Sequence, residues 1–352
     1  MPAEIAPLRK GDPLQLGVYR LVGLLGEGGQ GTVYLGQTPS GQQVAIKTLH
    51  ARLRDDAESR RRFLGEVAAA RSVGTFGTAQ VLEVDFYGEQ PFIVSEYIRG
   101  ESLQQLINRE GPRDAGGLRR LMLATAAALQ AIHQAGIVHR DFKPSNILLA
   151  ADGPRVVDFG IARALEGTTM LSSAVVGTPP YMSPEQVSGA KVGPESDVFS
   201  WGVAMVFAAT GQPAFGQDSI PAVFNRILTR EPSLDGVPDD LRALLRSCLA
   251  KDPNDRPTAS ELLQRMLGHA PQSAPRSAGR ATRPAPQPAG ETVARTGGPF
   301  GLALAAQVIA ALVTFILEEE NGLLFGIGVI AWILGGGFAA LALRNLAKRR
   351  RA

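Results

Sequence analysis

The chain has a single cysteine among its 352 residues, so no intramolecular disulfide can form. This lack excludes a small disulfide-stapled fold and suits a domain on the reducing side of a membrane. The cysteine, Cys248, lies in an apolar stretch at residues 244–249. Such surroundings favour a buried structural thiol over a reactive one.

The sequence also lacks a strong excess of charge of either sign. Lysine and arginine total 36, aspartate and glutamate total 33, and the net charge is only +3. No basic stretch is interleaved with aromatic residues, so nucleic acid is not an expected partner. The first ten residues contain no apolar core of signal-peptide length. We therefore expect that the first domain is not exported by a cleaved signal.

Strand-like and helix-like stretches alternate from about residue 17 to residue 267, with turn residues between them. This pattern predicts one folded domain, which we place at residues 18–268. Residues 269–299 are dominated by proline, alanine, glycine, serine and arginine and show no apolar periodicity. Because such a stretch cannot bury enough apolar surface to offset its chain entropy, it is predicted to be an extended, flexible linker.

Two apolar blocks follow the linker. Residues 300–317 and 323–343 contain no charged side chain, and each has about the length needed to cross a bilayer as a helix. The short acidic turn at residues 318–322 predicts an antiparallel transmembrane hairpin. Arg295 and the basic tail at residues 344–352 predict that the folded domain and the carboxyl terminus face the cytoplasm, in a two-helix cell-membrane protein. A buried helical hairpin in a soluble domain is the alternative.

The first candidate site is a glycine-rich stretch between two strand-like segments. Glycines at Gly26, Gly28 and Gly31 allow backbone amides to approach a polyphosphate closely. A glycine-rich hairpin without a ligand is an equally good interpretation of this stretch alone. A dinucleotide-binding turn would open a helix, whereas residues 33–35 continue as a strand. The residues assigned here to nucleotide binding are Leu25, Gly26, Glu27, Gly28, Gly29, Gln30, Gly31, Thr32 and Val33.

A lysine ends the next strand-like run, which comprises Val44, Ala45, Ile46 and Lys47. A lysine in such a position is most often an exposed strand end. The helix-like stretch at residues 57–71, however, places Glu66 where its carboxylate could pair with Lys47. That pair would hold the ammonium toward the α- and β-phosphates of a nucleotide.

Two acidic motifs in the middle of the chain suit phosphoryl transfer. In residues 139–146, Asp141 can accept the proton of a substrate hydroxyl, Lys143 can lie near the transferred phosphoryl group, and Asn146 can bind a metal ion. Asp158, in an Asp-Phe-Gly triplet after an apolar strand, can coordinate Mg²⁺ through hard oxygen ligands. Any one of these motifs could be an ordinary turn, but their order and spacing together predict a shared site.

Taken in this order, the motifs resemble the eukaryotic-type protein kinase family, and within it the bacterial serine/threonine kinases, from about residue 18 to residue 267. The resemblance implies an α+β bilobal fold with a five-stranded β-rich N-lobe at residues 18–96 and a helical C-lobe at residues 97–268. ATP, with Mg²⁺ or alternatively Mn²⁺, is expected between the lobes, where Ala45, Glu96 and Ile98 would contact it. Ser95 would occupy the gatekeeper position.

Further motifs extend the resemblance through the second lobe. Lys143 two residues after Asp141 is the serine/threonine kinase pattern, so protein serine and threonine residues are the expected acceptors. Glu185, in a Ser-Pro-Glu variant of the usual Ala-Pro-Glu, is expected to pair with Arg256. Residues 197–202 resemble the helix that anchors the catalytic loop. Thr178 is expected to bond to Asp141 and Lys143.

The resemblance also implies regulation through Arg140, which in this family receives a phosphorylated residue of the activation segment. We expect autophosphorylation at one or more hydroxyls of this segment.

The predicted membrane hairpin leaves only five residues outside the membrane. A signal that regulates the kinase would therefore come through lipid, a membrane partner or self-association. A pseudokinase and a small-molecule phosphotransferase remain the competing functional classes.

The candidate sites of autophosphorylation in the activation segment are Thr168, Thr169, Ser172 and Ser173.

Overall fold

A computed structural model describes the chain over residues 5–29, 31–49, 57–74, 77–88, 90–160 and 178–268. Within these ranges a β-rich small lobe precedes a helical large lobe, which confirms the predicted α+β bilobal arrangement. The predicted linker, membrane hairpin and basic tail lie outside the described residues. None of the helices in the described ranges combines the length and apolarity needed to cross a bilayer.

The small lobe is built on one antiparallel sheet of six strands in the order β1-β2-β3-β4-β6-β5. The resemblance implied five strands, and the additional one is the two-residue β1, which is too short to show an alternating pattern in the sequence. The strands are β1 (Gln15–Leu16), β2 (Tyr19–Gly28), β3 (Gly31–Gln37), β4 (Gln43–Leu49), β5 (Val81–Tyr87) and β6 (Gln90–Glu96).

Alternation along the strands creates two apolar faces on this sheet. Phe92 and Val94 of β6 pack into a small cluster on one face, whereas Ile93 between them joins the main core on the other face. Helix α1 (Ala57–Ser72), which closely matches the predicted helix at residues 57–71, contributes Phe63 and Val67 to that main core. The sheet is therefore covered by α1 on the face that continues into the large lobe.

The large lobe is organised around helix α5 (Pro194–Thr210), whose residues 196–209 are all buried. A helix that is buried on every side lies at the centre of its domain rather than at its surface. A small sheet in the order β7-β8-β9 also belongs to the large lobe. Its remaining elements are β7 (Glu101–Ser102), α2 (Leu103–Glu110), α3 (Ala115–Gln134), β8 (Ile147–Ala150), β9 (Gly153–Val156), α4 (Pro184–Val187), α5 (Pro194–Thr210), α6 (Ile220–Thr229), α7 (Asp239–Cys248) and α8 (Ala259–Met266).

A buried ion pair joins α4 to the loop before α8, as the resemblance implied. Arg256 donates to both carboxylate oxygens of Glu185, over 2.7 and 2.9 Å. Ser196 of α5 donates a third hydrogen bond to Glu185, over 2.5 Å. Burial alone would raise the pKa of Glu185, but the bonds from Arg256 and Ser196 outweigh burial and lower the pKa. The carboxylate is thus held ionised inside the large lobe.

The sole cysteine is structural, as predicted. Cys248, at the end of α7, has no exposed surface, and burial raises the pKa of its thiol to about 12. The thiol is therefore protonated at neutral pH and packs as a small apolar side chain.

Candidate active site

A cleft of about 560 Å³ lies between the two lobes. Its walls come from β2, β3 and β4 of the small lobe, from the connection at residues 95–98, and from residues 139–146 and 157–160 of the large lobe. A cleft of this volume is in the range that holds a small-molecule ligand or cofactor. Ser95, the expected gatekeeper, also lines it.

Nearly all of the predicted nucleotide-binding residues face this cleft. Thr32 does not, because it is buried beside Val33 on a strand whose successive side chains point to opposite faces. Gln30 lies outside the described residues. The predicted residues that line the cleft are Leu25, Gly26, Glu27, Gly28, Gly29, Gly31, Val33, Ala45, Lys47, Glu96 and Ile98.

The glycines of this stretch serve two different purposes. A Cβ atom on Gly31 would overlap the carbonyl oxygen of Thr48, so only glycine allows β3 to pack against β4 here. Cβ atoms on Gly26, Gly28 and Gly29 would meet no protein atom within 4 Å, so the space beside this backbone is open to a ligand. The arrangement fits a phosphate chain lying against bare backbone.

The loop at residues 139–146 groups the predicted catalytic side chains. The ammonium nitrogen of Lys143 lies 2.7 Å from Asp141 Oδ2 and 3.0 Å from Thr178 Oγ1, so the expected contact between Lys143 and Thr178 is present. Asn146 donates through Nδ2 to the backbone carbonyl of Asp141 over 2.9 Å. This bond leaves the Asn146 amide oxygen to act as an acceptor or metal ligand.

Helix α5 holds this loop in a strained backbone conformation. Arg140 of this loop has φ = 64°, a value that residues other than glycine rarely adopt, and Asp158, which lies outside the loop, has a similar φ of 59°. The fully buried Asp197, in the first turn of α5, accepts hydrogen bonds from the backbone amides of His139 and Arg140, both over 2.7 Å. The predicted anchoring of the loop by residues 197–202 is therefore present.

Two histidines that were assigned no role of their own connect the site to its surroundings. His133 of α3 bonds to the same Asp197 carboxylate over 2.8 Å. His139 contacts the carbonyl of Val157 over 3.1 Å, and its ring packs edge-on against Phe142. Burial lowers the pKa of His139, so its imidazole is neutral. In the sequence, these two histidines could have been singled out because the chain has only four and these two lie within seven residues of each other.

The two lobes meet at an ion pair inside the cleft. Lys47 Nζ of β4 lies 3.2 Å from Asp158 Oδ2. The structure thus brings together a small-lobe cation and a large-lobe carboxylate that are 111 positions apart in the sequence. Asp141 and Asn146 line the same cleft.

The pairing of Glu66 with Lys47 stays a prediction. The ion pair that the structure shows for Lys47 joins it to Asp158. Glu66 is half-buried, and burial raises the pKa of its carboxyl while the charge of Arg140 opposes that rise.

The site can hold a divalent cation that takes most of its ligands from a nucleotide. Asp158 and Asn146 both line the cleft and can supply hard oxygen donors, and Mg²⁺ is commonly bound by one or two protein oxygens together with phosphates. Over the described ranges, no group of three or more histidine, cysteine, aspartate or glutamate side chains could hold a metal ion alone. The four candidate phosphorylation sites at residues 168–173 lie outside the described residues.

Comparison with known proteins agrees with this geometry. The family model described as protein kinase domain matches residues 19–267. The probable serine/threonine-protein kinase PkwA of Thermomonospora curvata is 49% identical over 263 residues, which cover 74% of this chain and 35% of PkwA. The serine/threonine-protein kinase AfsK of Streptomyces coelicolor is 44% identical over 265 residues, covering 74% of this chain and 33% of AfsK.

A third relative is matched over more of its own length. The serine/threonine-protein kinase PknL of Mycobacterium bovis is 33% identical over 257 residues, covering 70% of this chain and 64% of PknL. The matched part spans only about a third of PkwA and of AfsK. Since the family model covers residues 19–267, well over half of the sequence, the chain belongs to the protein kinase domain family.

Proposed function

We propose that this chain is a serine/threonine protein kinase that transfers the γ-phosphate of ATP to hydroxyl groups of protein substrates. The observation that carries the proposal is the convergence of Lys47, Asp158 and Asp141 on one cleft, with Lys143 in contact with Asp141. The curated relatives PkwA and AfsK are named as serine/threonine-protein kinases, which supports the choice of acceptor.

Each side chain has a role that follows from its position. Lys47 binds phosphate oxygens at the small-lobe wall, and Asp158 with Asn146 would hold a divalent cation, for which Mg²⁺ is the natural choice. When bound, such a cation would supply positive charge to neutralise the phosphates. Asp141 accepts the proton of the attacking hydroxyl, and Lys143, 2.7 Å from it, both orients the carboxylate and places a positive charge near the transferred group.

Labelling with two forms of ATP tests the proposal. The purified chain is incubated with Mg-ATP labelled at the γ- or at the α-phosphate, together with a protein rich in serine and threonine. We expect label on protein from the γ-position only, as phosphoserine or phosphothreonine. Label that appears only on a small molecule would favour a small-molecule phosphotransferase. A chain that binds ATP without any transfer would be a pseudokinase.

We further propose that the chain phosphorylates itself at one or more of Thr168, Thr169, Ser172 and Ser173. A phosphate on this segment can pair with Arg140, which precedes Asp141. Mass spectrometry of the chain after incubation with Mg-ATP should find the modification, and it should be missing from a matched Asp141→Asn sample. A peptide covering residues 161–177 that stays unmodified would contradict the proposal.

We also propose that residues 300–317 and 323–343 anchor the chain in the cell membrane with the kinase domain in the cytoplasm, where clustering raises its local concentration. The full chain should sediment with membranes and resist extraction by carbonate, while a chain lacking residues 298–352 should not. Self-phosphorylation in cells should fall in the truncated chain. Equal phosphorylation of both forms would contradict the role of clustering.

A further inference from the structure

A segment before the predicted start of the domain lies against the hairpin that carries the glycine-rich stretch. We call residues 5–16 the N-terminal strap. Ala6 and Leu24 exchange two backbone hydrogen bonds, with N–O distances of 3.0 and 2.7 Å. Further along, the amide of Leu21 donates to the carbonyl of Leu14 over 2.9 Å, and β1 pairs with the start of β2. The strap therefore follows the edge of β2 that β3 leaves open.

The strap approaches β2 most closely at Gly23. A Cβ atom on Gly23 would overlap the Ile5 side chain and would lie 2.8 Å from the carbonyl oxygen of Ala6. Only glycine therefore permits this contact. Leu24, the next residue, directly precedes the glycine-rich stretch at residues 25–33. The strap is thus hydrogen-bonded to the strand at the point where it enters the nucleotide cleft.

A turn in the strap reaches the second strand of the hairpin as well. The Asp12 side chain accepts from the backbone amide of Arg9 over 2.7 Å and from the hydroxyl of Tyr34 over 3.0 Å. Tyr34 follows the glycine-rich stretch on β3 and is only 5% exposed. Burial and the Asp12 contact raise the pKa of Tyr34 to about 12, so the phenol remains a donor across the ordinary pH range. The strap therefore contacts both strands that support the loop.

The same turn places the guanidinium group of Arg9 beside the cleft. Arg9 Nη2 lies 2.7 Å from Glu27 Oε2, and Glu27 is one of the residues that line the cleft. A carboxylate in the glycine-rich stretch repels an anionic nucleotide, and a bound guanidinium compensates that charge. The ion pair also restrains the loop, because Arg9 itself is held by the turn with Asp12.

We propose that Arg9 is a positioning residue of the nucleotide site, which acts through Glu27 to hold the glycine-rich loop and to offset the negative charge at the mouth of the cleft. The inference rests on the proposed kinase function, since it concerns the affinity for Mg-ATP. It adds to the site a residue outside the matched range of 19–267.

Nucleotide affinity is the first measurement. The dissociation constant for Mg-ATP is determined by calorimetry in the Asp141→Asn background, where no turnover interferes. Because the ion pair between Arg9 and Glu27 is exposed, Arg9→Gln should raise the dissociation constant for Mg-ATP by no more than about two- to fivefold. Arg9→Lys, which keeps the charge, should restore most of the affinity. The matched control is Arg20→Gln, which removes an exposed arginine of β2 that bonds to Gln37 instead of the loop. It should leave affinity unchanged.

A double variant tests whether Arg9 acts through Glu27. In a Glu27→Gln background, Arg9→Gln should have no further effect, because the charge to be offset is gone. Gly23→Ala, which displaces the strap while keeping Arg9, should weaken binding at least as much as Arg9→Gln. The proposal is overturned if Arg9→Gln binds like the parent, if Arg20→Gln weakens binding equally, or if the Arg9 effect persists without Glu27.

Hydrogen exchange separates this inference from the function on which it rests. Amides of residues 24–31 should exchange faster in Arg9→Gln and Gly23→Ala than in the parent or in Arg20→Gln, without any nucleotide. Equal exchange in all four proteins overturns the role of the strap. If the parent binds no nucleotide at all, the kinase function fails, and the exchange rates still decide whether Arg9 restrains the loop.

Discussion

Replacing Asp141 by asparagine is expected to lower the turnover number for protein phosphorylation by about 10²–10⁴-fold, the usual contribution of a positioned general base. Asparagine has nearly the same shape but cannot accept the hydroxyl proton. The backbone carbonyl of Asp141 would still receive the bond from Asn146, and Lys143 would keep its contact with Thr178 over 3.0 Å. The loop should therefore stay folded while the chemical step slows.

Steady-state kinetics at saturating Mg-ATP, combined with calorimetric binding of Mg-ATP, checks this expectation. Binding should change by no more than about twofold, because Asp141 acts on the hydroxyl rather than on the nucleotide. Asp152→Asn is the matched control, since Asp152 lies in the exposed turn between β8 and β9 and pairs with Arg155. It should retain full turnover. An Asp141→Asn protein that turns over like the parent would remove Asp141 from the catalytic machinery.

Arg256→Met is expected to destabilise the kinase domain by about 3–5 kcal/mol, because it leaves the Glu185 carboxylate buried without its partner. The Arg256 side chain has no exposed surface, and its guanidinium also donates to the carbonyls of Ala250, Glu195 and Lys251. Those acceptors lose their donors at the same time. The midpoint of thermal unfolding should fall by about 6–20 °C for a domain of this size.

Calorimetric or spectroscopic melting measures this loss. Arg119→Met serves as control, because its pair with Asp240 is about half exposed on both sides and should contribute under about 1 kcal/mol. Adding Glu185→Gln to Arg256→Met should recover part of the stability, since the uncompensated charge is removed. A melting midpoint for Arg256→Met within a degree of the parent would show that the pair does not stabilise the lobe.

The contribution of the Glu185–Arg256 pair to stability depends on pH. The folded-state pKa of Glu185 lies below its ordinary value of 4.5, so the contribution is complete above that pH and is lost as pH falls toward the folded-state pKa. The difference in unfolding free energy between the parent and Arg256→Met should accordingly be constant at neutral pH and shrink in acid.

Features confined to one short loop could be predicted well from the sequence. Asp141, Lys143 and Asn146 lie within six residues, and chain connectivity alone keeps their side chains close, as the observed bonds show. The extent of α1 was also predicted within one residue, because helical periodicity is a local property. The pair between Glu185 and Arg256 was expected only through the family resemblance.

Features that depend on packing between elements were predicted less well. The structure pairs Lys47 with Asp158 of the other lobe, a contact that the sequence had not suggested. Thr32 was assigned to the cleft along with its neighbours, although strand alternation buries it. The strap was not recognised because residues 5–16 contain neither an apolar period nor a strand of more than two residues.

The amino-acid sequence by itself determined the family, through the order of its short motifs. The resemblance to that family in turn implied the two-lobe α+β fold and the charged groups that enter the cleft. Only the tertiary structure decided which charges pair, namely Lys47 with Asp158 and Arg9 with Glu27. Ion pairing falls off over a few ångströms, and distances on that scale between separate elements are set by side-chain packing rather than by position along the chain.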